Sequence, residues 1–147
     1  MFLSQLTEAT IGAAIDVHRE LGPGLLEAVY ETCFAHELGL RGIPFEVQKK
    51  LPIHYKGLFL DPGVRLDMVV HGQIVVELKS VEKLTPLHDA QLLTYLRQSG
   101  CKVGLLINFN TRLLKDGIRR LVLNAPETWS SESASAISAT PRSDSKR

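Results

Sequence analysis

Three charged residues in the middle of the chain, Asp67, Glu77 and Lys79, are of the types that metal-assisted phosphate chemistry uses. Glu77 and Lys79 are two residues apart in an alternating segment, so on a strand their side chains leave the same face. Carboxylates are hard oxygen ligands suited to Mg²⁺ or Mn²⁺, and a nearby ammonium can orient water or stabilise charge on a phosphate. The alternative is a solvated pair of strand charges with Asp67 as a cross-strand partner.

The register of a hairpin decides whether Asp67 joins the other two residues. Two alternating segments, 64–70 and 74–79, predict this hairpin. If Asp67 lies opposite Glu77, three residues form the loop, and the apolar side chains of both strands share the other face. A two-residue loop would place Leu66 opposite Glu77 and would mix charged and apolar residues on each face. We therefore predict the three-residue loop, which brings the three charged residues onto one surface.

The other elements follow from apolar spacing and turn residues. Segments with helical spacing are 7–21, about 25–40 and 86–99. Segments rich in β-forming residues are 45–55, interrupted by Pro52, then 64–70, 74–79 and 103–108, while 116–123 is either a strand or a short helix. The predicted order is α-α-β-β-β-β-α-β, which indicates a sheet flanked by helices. The expected apolar stripe of the second helix is Leu26, Val29, Tyr30, Cys33, Phe34 and Leu38.

Length and composition fit one folded domain over residues 1–129. Residues 130–147 are rich in Ser and Ala, so we predict a disordered tail. The two cysteines, Cys33 and Cys101, are far apart, which suits a reducing compartment, and we expect a cytoplasmic protein. We find no signal peptide and no apolar run long enough for a membrane span.

Nucleic acid would have to be attracted by a local patch, because the formal net charge is only +1. Basic residues form two local clusters: Lys49, Lys50 and Lys56, and Arg112, Lys115, Arg119 and Arg120. Either cluster could contact phosphates, or both could be solvated faces that keep the protein soluble.

Several segments resemble known nucleases. Residues 65–79, RLDMVVHGQIVVELK, resemble the D-(x)n-ExK core of the PD-(D/E)XK nuclease superfamily. Residues 24–30, GLLEAVY, are similar to the signature of the GxxExxY family, which is assigned to that superfamily, and VGLLINFN is also typical of it. The segment LHDAQLLTYL resembles the QxxxY helix of several nuclease branches. The motifs follow one another in the expected order over roughly residues 11–123.

The resemblance implies a restriction-endonuclease-like α/β fold, a single domain with a mixed β-sheet flanked by helices. It also implies Mg²⁺- or Mn²⁺-dependent hydrolysis of DNA or RNA. The implied metal ligands are Asp67, Glu77, the Leu78 carbonyl and Glu27, directly or through water. Lys79 would be the catalytic lysine, and Gln91 and Tyr95 would position water, Lys79 or a phosphate. Leu66 stands where the superfamily name has proline.

Some interpretations stay open. Glu27 could instead be a favourable charge in the first turn of its helix, and Tyr30 could be a core aromatic with a polar tip. His88 could face the site or serve as a polar residue at a helix start. The rival to an enzyme is a catalytically silent or partner-dependent nucleic-acid-binding module with the same fold, for which a homodimer could supply missing surface.

Overall fold

A five-stranded sheet with helices on both faces makes up the part of the chain that this computed structural model describes, residues 2–123. The helices are α1 (Leu3–Leu21), α2 (Glu27–Leu40) and α3 (Pro86–Ser99). The strands are β1 (Phe45–Tyr55), β2 (Leu58–Val70), β3 (Ile74–Lys79), β4 (Val103–Asn108) and β5 (Ile118–Val122). A short 3₁₀ helix, Leu114–Gly117, precedes β5. The predicted domain end near residue 129 and the predicted tail lie outside the described residues.

The sheet is mixed, as the fold prediction requires. Its strand order is β1-β2-β3-β4-β5, and β3 and β4 are parallel while the other neighbours are antiparallel. Helix α3 supplies the crossover between the parallel pair, as parallel strands need. The predicted order of elements was wrong in placing four strands before the third helix. Only three are present, because residues 45–55 form one strand across Pro52, with a register shift there.

Each face of the sheet buries a separate apolar core. On one face, side chains from β2, β3 and β4 pack against α1 and α2, with Phe34 and Val76 among the buried residues. On the other face, Val75 and Leu106 pack against Leu92 of α3 and its neighbours. All six residues of β4 are buried, because this strand is covered on both sides. Truncating one of these side chains to alanine should cost about 2–5 kcal/mol.

The predicted hairpin register is confirmed. Val69 pairs with Val75 and Val70 with Ile74, which leaves the three-residue loop 71–73. The predicted alternation of β2 is wrong at Leu66, which packs under α3 and not on the side of Met68. The paired ladder between β2 and β3 covers only residues 68–70 of β2, so the regular alternation does not extend to Leu66.

The apolar stripe predicted for α2 is narrower in the structure. Tyr30, Phe34 and Leu38 are buried as expected. Leu26 is 77% exposed and Val29 is also exposed, because the helix begins only at Glu27 and its first turn lies at the rim of the molecule. Among the helices that the structure describes, none combines the length and apolar character that a membrane crossing needs.

Candidate active site

The site begins at a strand fork, the point at Asp67 and Glu77 where β2 leaves β3. The Asp67 N–H donates to Oε2 of Glu77 at 2.9 Å. The Leu78 N–H donates to Oδ2 of Asp67, also at 2.9 Å. These bonds from side chain to backbone stand where the ladder between the two strands would otherwise continue. They hold both carboxyl groups at the fork and fix their directions.

Glu77 is a buried acid beside another acid. Its side chain leaves the same face of β3 as Val75, and the residue is only 4% exposed. Burial, followed by the negative charge of Asp67, raises the pKa of Glu77 to about 8, although the Asp67 N–H and Lys79 act in the opposite direction. Two acids so close together cannot both carry full charge easily without a cation between them.

Lys79 ends β3 on the same face as Glu77 and is half-buried. Its positive charge opposes the rise in the pKa values of Glu77 and Glu27 and, after burial, contributes to the lowered pKa of His88. The Lys79 carbonyl accepts the Phe109 N–H at 2.9 Å, which ties the end of β3 to the segment after β4. The structure therefore brings Asp67, Glu77 and Lys79 together at one edge of the sheet.

Glu27 reaches this edge from the start of α2. Its carboxylate accepts a hydrogen bond from the Ser80 N–H, and the charges of Lys79 and Asp67 both act on it. Burial is the main cause of the raised pKa of Glu27, with Lys79 opposing it. The Ser80 hydroxyl also donates to the Leu25 carbonyl at 2.6 Å. Glu27 is therefore held beside the site by the residue that follows Lys79.

Tyr30 clamps the loop that carries Glu27. The ring is fully buried and stacks on Phe109, with centroids 4.5 Å apart and planes 9° apart. Its hydroxyl donates to the Gly22 carbonyl at 2.6 Å and accepts the Leu25 N–H at 3.1 Å. The interpretation of Tyr30 as a core aromatic with a polar tip fits this placement. Gly24, with φ of 97°, supplies the left-handed backbone that the loop needs.

Helix α3 covers the acidic pair from above. Burial, followed by the negative charges of Glu77 and Asp67, raises the pKa of the Tyr95 hydroxyl. Gln91 lies one turn earlier; its side chain is exposed and forms no hydrogen bond within residues 2–123. His88 accepts the Thr85 N–H on Nδ1 at 3.0 Å, which supports its interpretation as a residue of the helix start.

Comparison with protein-family models matches residues 4–121 to the PD-(D/E)XK nuclease superfamily. The chain belongs to this superfamily. The match spans nearly all of every described helix and strand, including the fork. No curated protein and no solved structure shows significant similarity to the chain. The superfamily typically uses divalent metals and acts on nucleic acids, so its chemistry has to be tested against the side chains present.

A PD-(D/E)XK nuclease needs oxygen ligands for a divalent cation, and the fork offers two. In the described part of the chain, no group of three or more His, Cys, Asp or Glu side chains is arranged to hold a metal ion. Asp67 and Glu77 form a pair, with Glu27 farther out. Mg²⁺ is commonly held by one or two carboxylates together with water. The donor set therefore fits Mg²⁺ or Mn²⁺, and a divalent cation would neutralise the crowded acids.

Two residues that steady this site were not found from the sequence. Asn108 is 2% exposed; its side chain accepts the Val81 N–H and donates to the Val81 carbonyl, both at 3.0 Å. It thereby braces the loop that follows Lys79. Ser80 holds both Leu25 and Glu27. The sequence signal for Asn108 is that a polar residue ends an otherwise apolar strand.

Stability without metal should fall as the pH rises through the range in which Glu77 titrates. The folded-state pKa is raised to about 8 from an ordinary 4.5, so the folded protein keeps a proton that the unfolded chain loses. The contribution of Glu77 is therefore most favourable below about pH 4.5 and worsens up to about pH 8. Melting temperatures in EDTA over this range measure the effect, and Glu77→Gln should flatten the slope. A slope that is identical in the variant would contradict the assignment.

Tyr30→Phe should lower the free energy of unfolding by about 1–3 kcal/mol, because it leaves the Gly22 carbonyl and the Leu25 N–H without their shared partner. Chemical denaturation measures the change. Tyr55→Phe is the matched control, since Tyr55 is exposed and forms no hydrogen bond among the described residues. Equal effects of the two substitutions would show that the hydroxyl does not hold the loop.

Proposed function

We propose that the protein is a divalent-metal-dependent phosphodiester hydrolase that cleaves DNA or RNA through Asp67, Glu77 and Lys79. The observation that carries the proposal is the strand fork, where backbone N–H groups hold two carboxyl groups side by side. A purely structural role explains it poorly, because burying one acid beside a second, half-buried acid opposes folding. The superfamily membership gives the same pair a catalytic use.

In this proposal Asp67 and Glu77 hold Mg²⁺ or Mn²⁺ together with the Leu78 carbonyl, and Glu27 contributes directly or through water. When bound, the cation polarises the phosphate and makes water a better nucleophile. Lys79 stabilises charge that develops on the phosphate. Tyr95 and Gln91, one turn apart on α3, position water, Lys79 or the phosphate.

We further propose that the chain is a member of the GxxExxY family within the superfamily. The structure gives each residue of that motif a distinct task, which supports the assignment. Gly24 takes the left-handed turn, Glu27 lies beside Lys79, and Tyr30 clamps the loop between them. We also propose that the protein works in the cytoplasm, since its two cysteines are unpaired thiols.

The direct test incubates the purified protein with single- and double-stranded DNA and RNA of mixed sequence. Mg²⁺, Mn²⁺ and EDTA are compared in parallel, and products are resolved on denaturing gels. Cleavage that requires a divalent cation is the expected result, and the substrate that disappears identifies the nucleic acid. A protein that neither binds Mn²⁺ by calorimetry nor cleaves any of the four substrates would overturn the proposal.

A partner-dependent module is the second candidate, and a surface feature favours it. Beyond the fork, residues 50–65 form a two-stranded arm made of the end of β1 and the start of β2. Its tip exposes Tyr55, Leu58, Phe59 and Leu60. A two-stranded ribbon is only marginally stable alone in water, and clustered exposed apolar residues mark contact surfaces. A second copy or another protein would cover the tip. Metal binding without cleavage in the same assay, with cleavage appearing only when a partner is added, would favour this candidate.

A further inference from the structure

A cavity with a basic lining lies away from the acidic pair. It has a volume of about 430 Å³ and lies between the end of α1 and the segment that leads into the 3₁₀ helix. Three cationic side chains, Arg19, Arg112 and Lys115, contribute to its wall, and no carboxylate does. A cleft lined by one sign of charge attracts ligands of the opposite sign.

Two of these cations have no partner in the described part of the chain. Arg112 and Lys115 are exposed and form no ion pair there. Arg19 pairs with Asp16 at 3.2 Å, but both side chains are exposed, so the pair is weak and easily exchanged for another anion. The cavity therefore offers positive charge that the described residues leave largely uncompensated.

The wall of the cavity is fixed by buried contacts. His18 is 8% exposed, and its Nε2 donates to the Thr111 carbonyl at 2.8 Å, which holds the residue before Arg112 against α1. Leu114, between Arg112 and Lys115 and also lining the cavity, is buried in the core. The two cations therefore belong to a segment that Thr111 and Leu114 hold against the rest of the protein. This favours a preformed site over a flexible, solvated group of charges.

Two chain segments connect this cavity to the active site. Gly22 and Pro23 line the cavity, and the same loop reaches Glu27 four residues later, so Pro23 and Glu27 lie at most ~14 Å apart between Cα atoms. The second segment runs from Phe109, whose N–H is bonded to the Lys79 carbonyl, to Arg112. These two segments therefore link the wall of the cavity to Glu27 and to the end of β3 at Lys79.

We infer that the cavity lined by Arg19, Arg112 and Lys115 is a second phosphate-binding site, which holds a backbone phosphate of the nucleic acid away from the cleaved bond. This inference rests on the proposed function. The site would set how the strand lies across the fork and how much strand the enzyme needs.

The experiment measures binding of a labelled oligonucleotide by fluorescence anisotropy over a range of salt concentrations. EDTA prevents cleavage, and the probe is the nucleic acid that wild type cleaves, or each of the four forms if none is cleaved. Arg112→Ala, Lys115→Ala and the double variant that carries both substitutions are compared with Lys102→Ala as the control. Lys102 is also exposed, but it lies at the opposite end of β4. Melting temperatures check that each variant is folded.

We expect the slope of log affinity against log salt to decrease by about 0.7–0.9 for each cavity cation removed, and Lys102→Ala to leave the slope unchanged. A scan with single methylphosphonate linkages then locates the contact. One neutral linkage should weaken binding to wild type but not to the double variant, because the same contact is already lost.

Other results would overturn the inference in distinguishable ways. Slopes that fall no more than in Lys102→Ala, in a protein that still binds and cleaves, would overturn the second site alone. A wild-type protein that binds no oligonucleotide would overturn the inference and the proposed function together. If inorganic phosphate displaces the probe and no methylphosphonate position is sensitive, the cavity binds free phosphate and is not a contact for nucleic acid.

Discussion

Asp67→Asn is expected to lower metal-dependent cleavage by about 10³-fold or more while leaving the fold intact. The asparagine oxygen can still accept the Leu78 N–H that Oδ2 accepts now. The variant lacks the negative charge that a divalent cation requires, and it removes the charge that, after burial, raises the pKa of Glu77. Without metal it should therefore be at least as stable as wild type, and Mn²⁺ should no longer raise its melting temperature.

Gel-based cleavage rates, together with melting curves with and without Mn²⁺, measure all three effects of this change. Asp61→Asn is the matched control, because Asp61 is an exposed aspartate on the same strand. The control should cleave and respond to Mn²⁺ as wild type does. Cleavage that survives in Asp67→Asn at the wild-type rate would remove Asp67 from the site.

Lys79→Met is expected to lower cleavage by about 10²–10³-fold through a different route. Methionine keeps an unbranched side chain of comparable length but has no charge to stabilise a developing phosphate charge. The positive charge of Lys79 now acts on Glu77 and Glu27, where it competes with a bound cation. Affinity for Mn²⁺ should therefore be equal to or higher than that of wild type.

Calorimetric titration of Mn²⁺ alongside the cleavage assay distinguishes the roles of the two residues. Asp67→Asn should lose both Mn²⁺ binding and cleavage, whereas Lys79→Met should lose cleavage alone. Lys102→Met controls for the removal of an exposed lysine far from the fork. Loss of Mn²⁺ binding in Lys79→Met would mean that the lysine arranges the acids and does not act on the phosphate. Unchanged cleavage would contradict any catalytic part for it.

The register of the hairpin could be predicted because burial of one face of the sheet fixes which residues of each strand must point to that face. Val69 and Val75 had to share a face, and the position of Asp67 opposite Glu77 followed from that pairing. The same reasoning failed at Leu66, because alternation assumes that the ladder between two strands continues. Nothing in a local pattern indicates where two strands separate, and here they separate at the site itself.

Contacts between distant segments were the least predictable part of the site. The placement of Glu27 near Lys79 was predicted only from the family resemblance, since spacing along the chain cannot indicate a contact between residues about fifty positions apart. The hydroxyl contacts of Tyr30 and the bracing by Asn108 depend on loops whose path the sequence leaves open. Similarly, the basic cluster predicted over residues 112–120 does not form one patch in the structure. Arg119 forms an ion pair with Asp89, whereas Arg112 and Lys115 line the cavity.

The departure of β2 from β3 also leaves unpaired strand edges. Between residues 58 and 66, β2 is hydrogen-bonded to β1 alone, so the arm presents open rows of backbone groups that another chain could extend. The arm carries features that discourage such stacking: Pro52 and Pro62 lack an N–H, and Lys50 and Arg65 place exposed charge at its base. The opening of the sheet at the fork thus creates a hazard of aggregation, which the prolines and charges of the arm counteract.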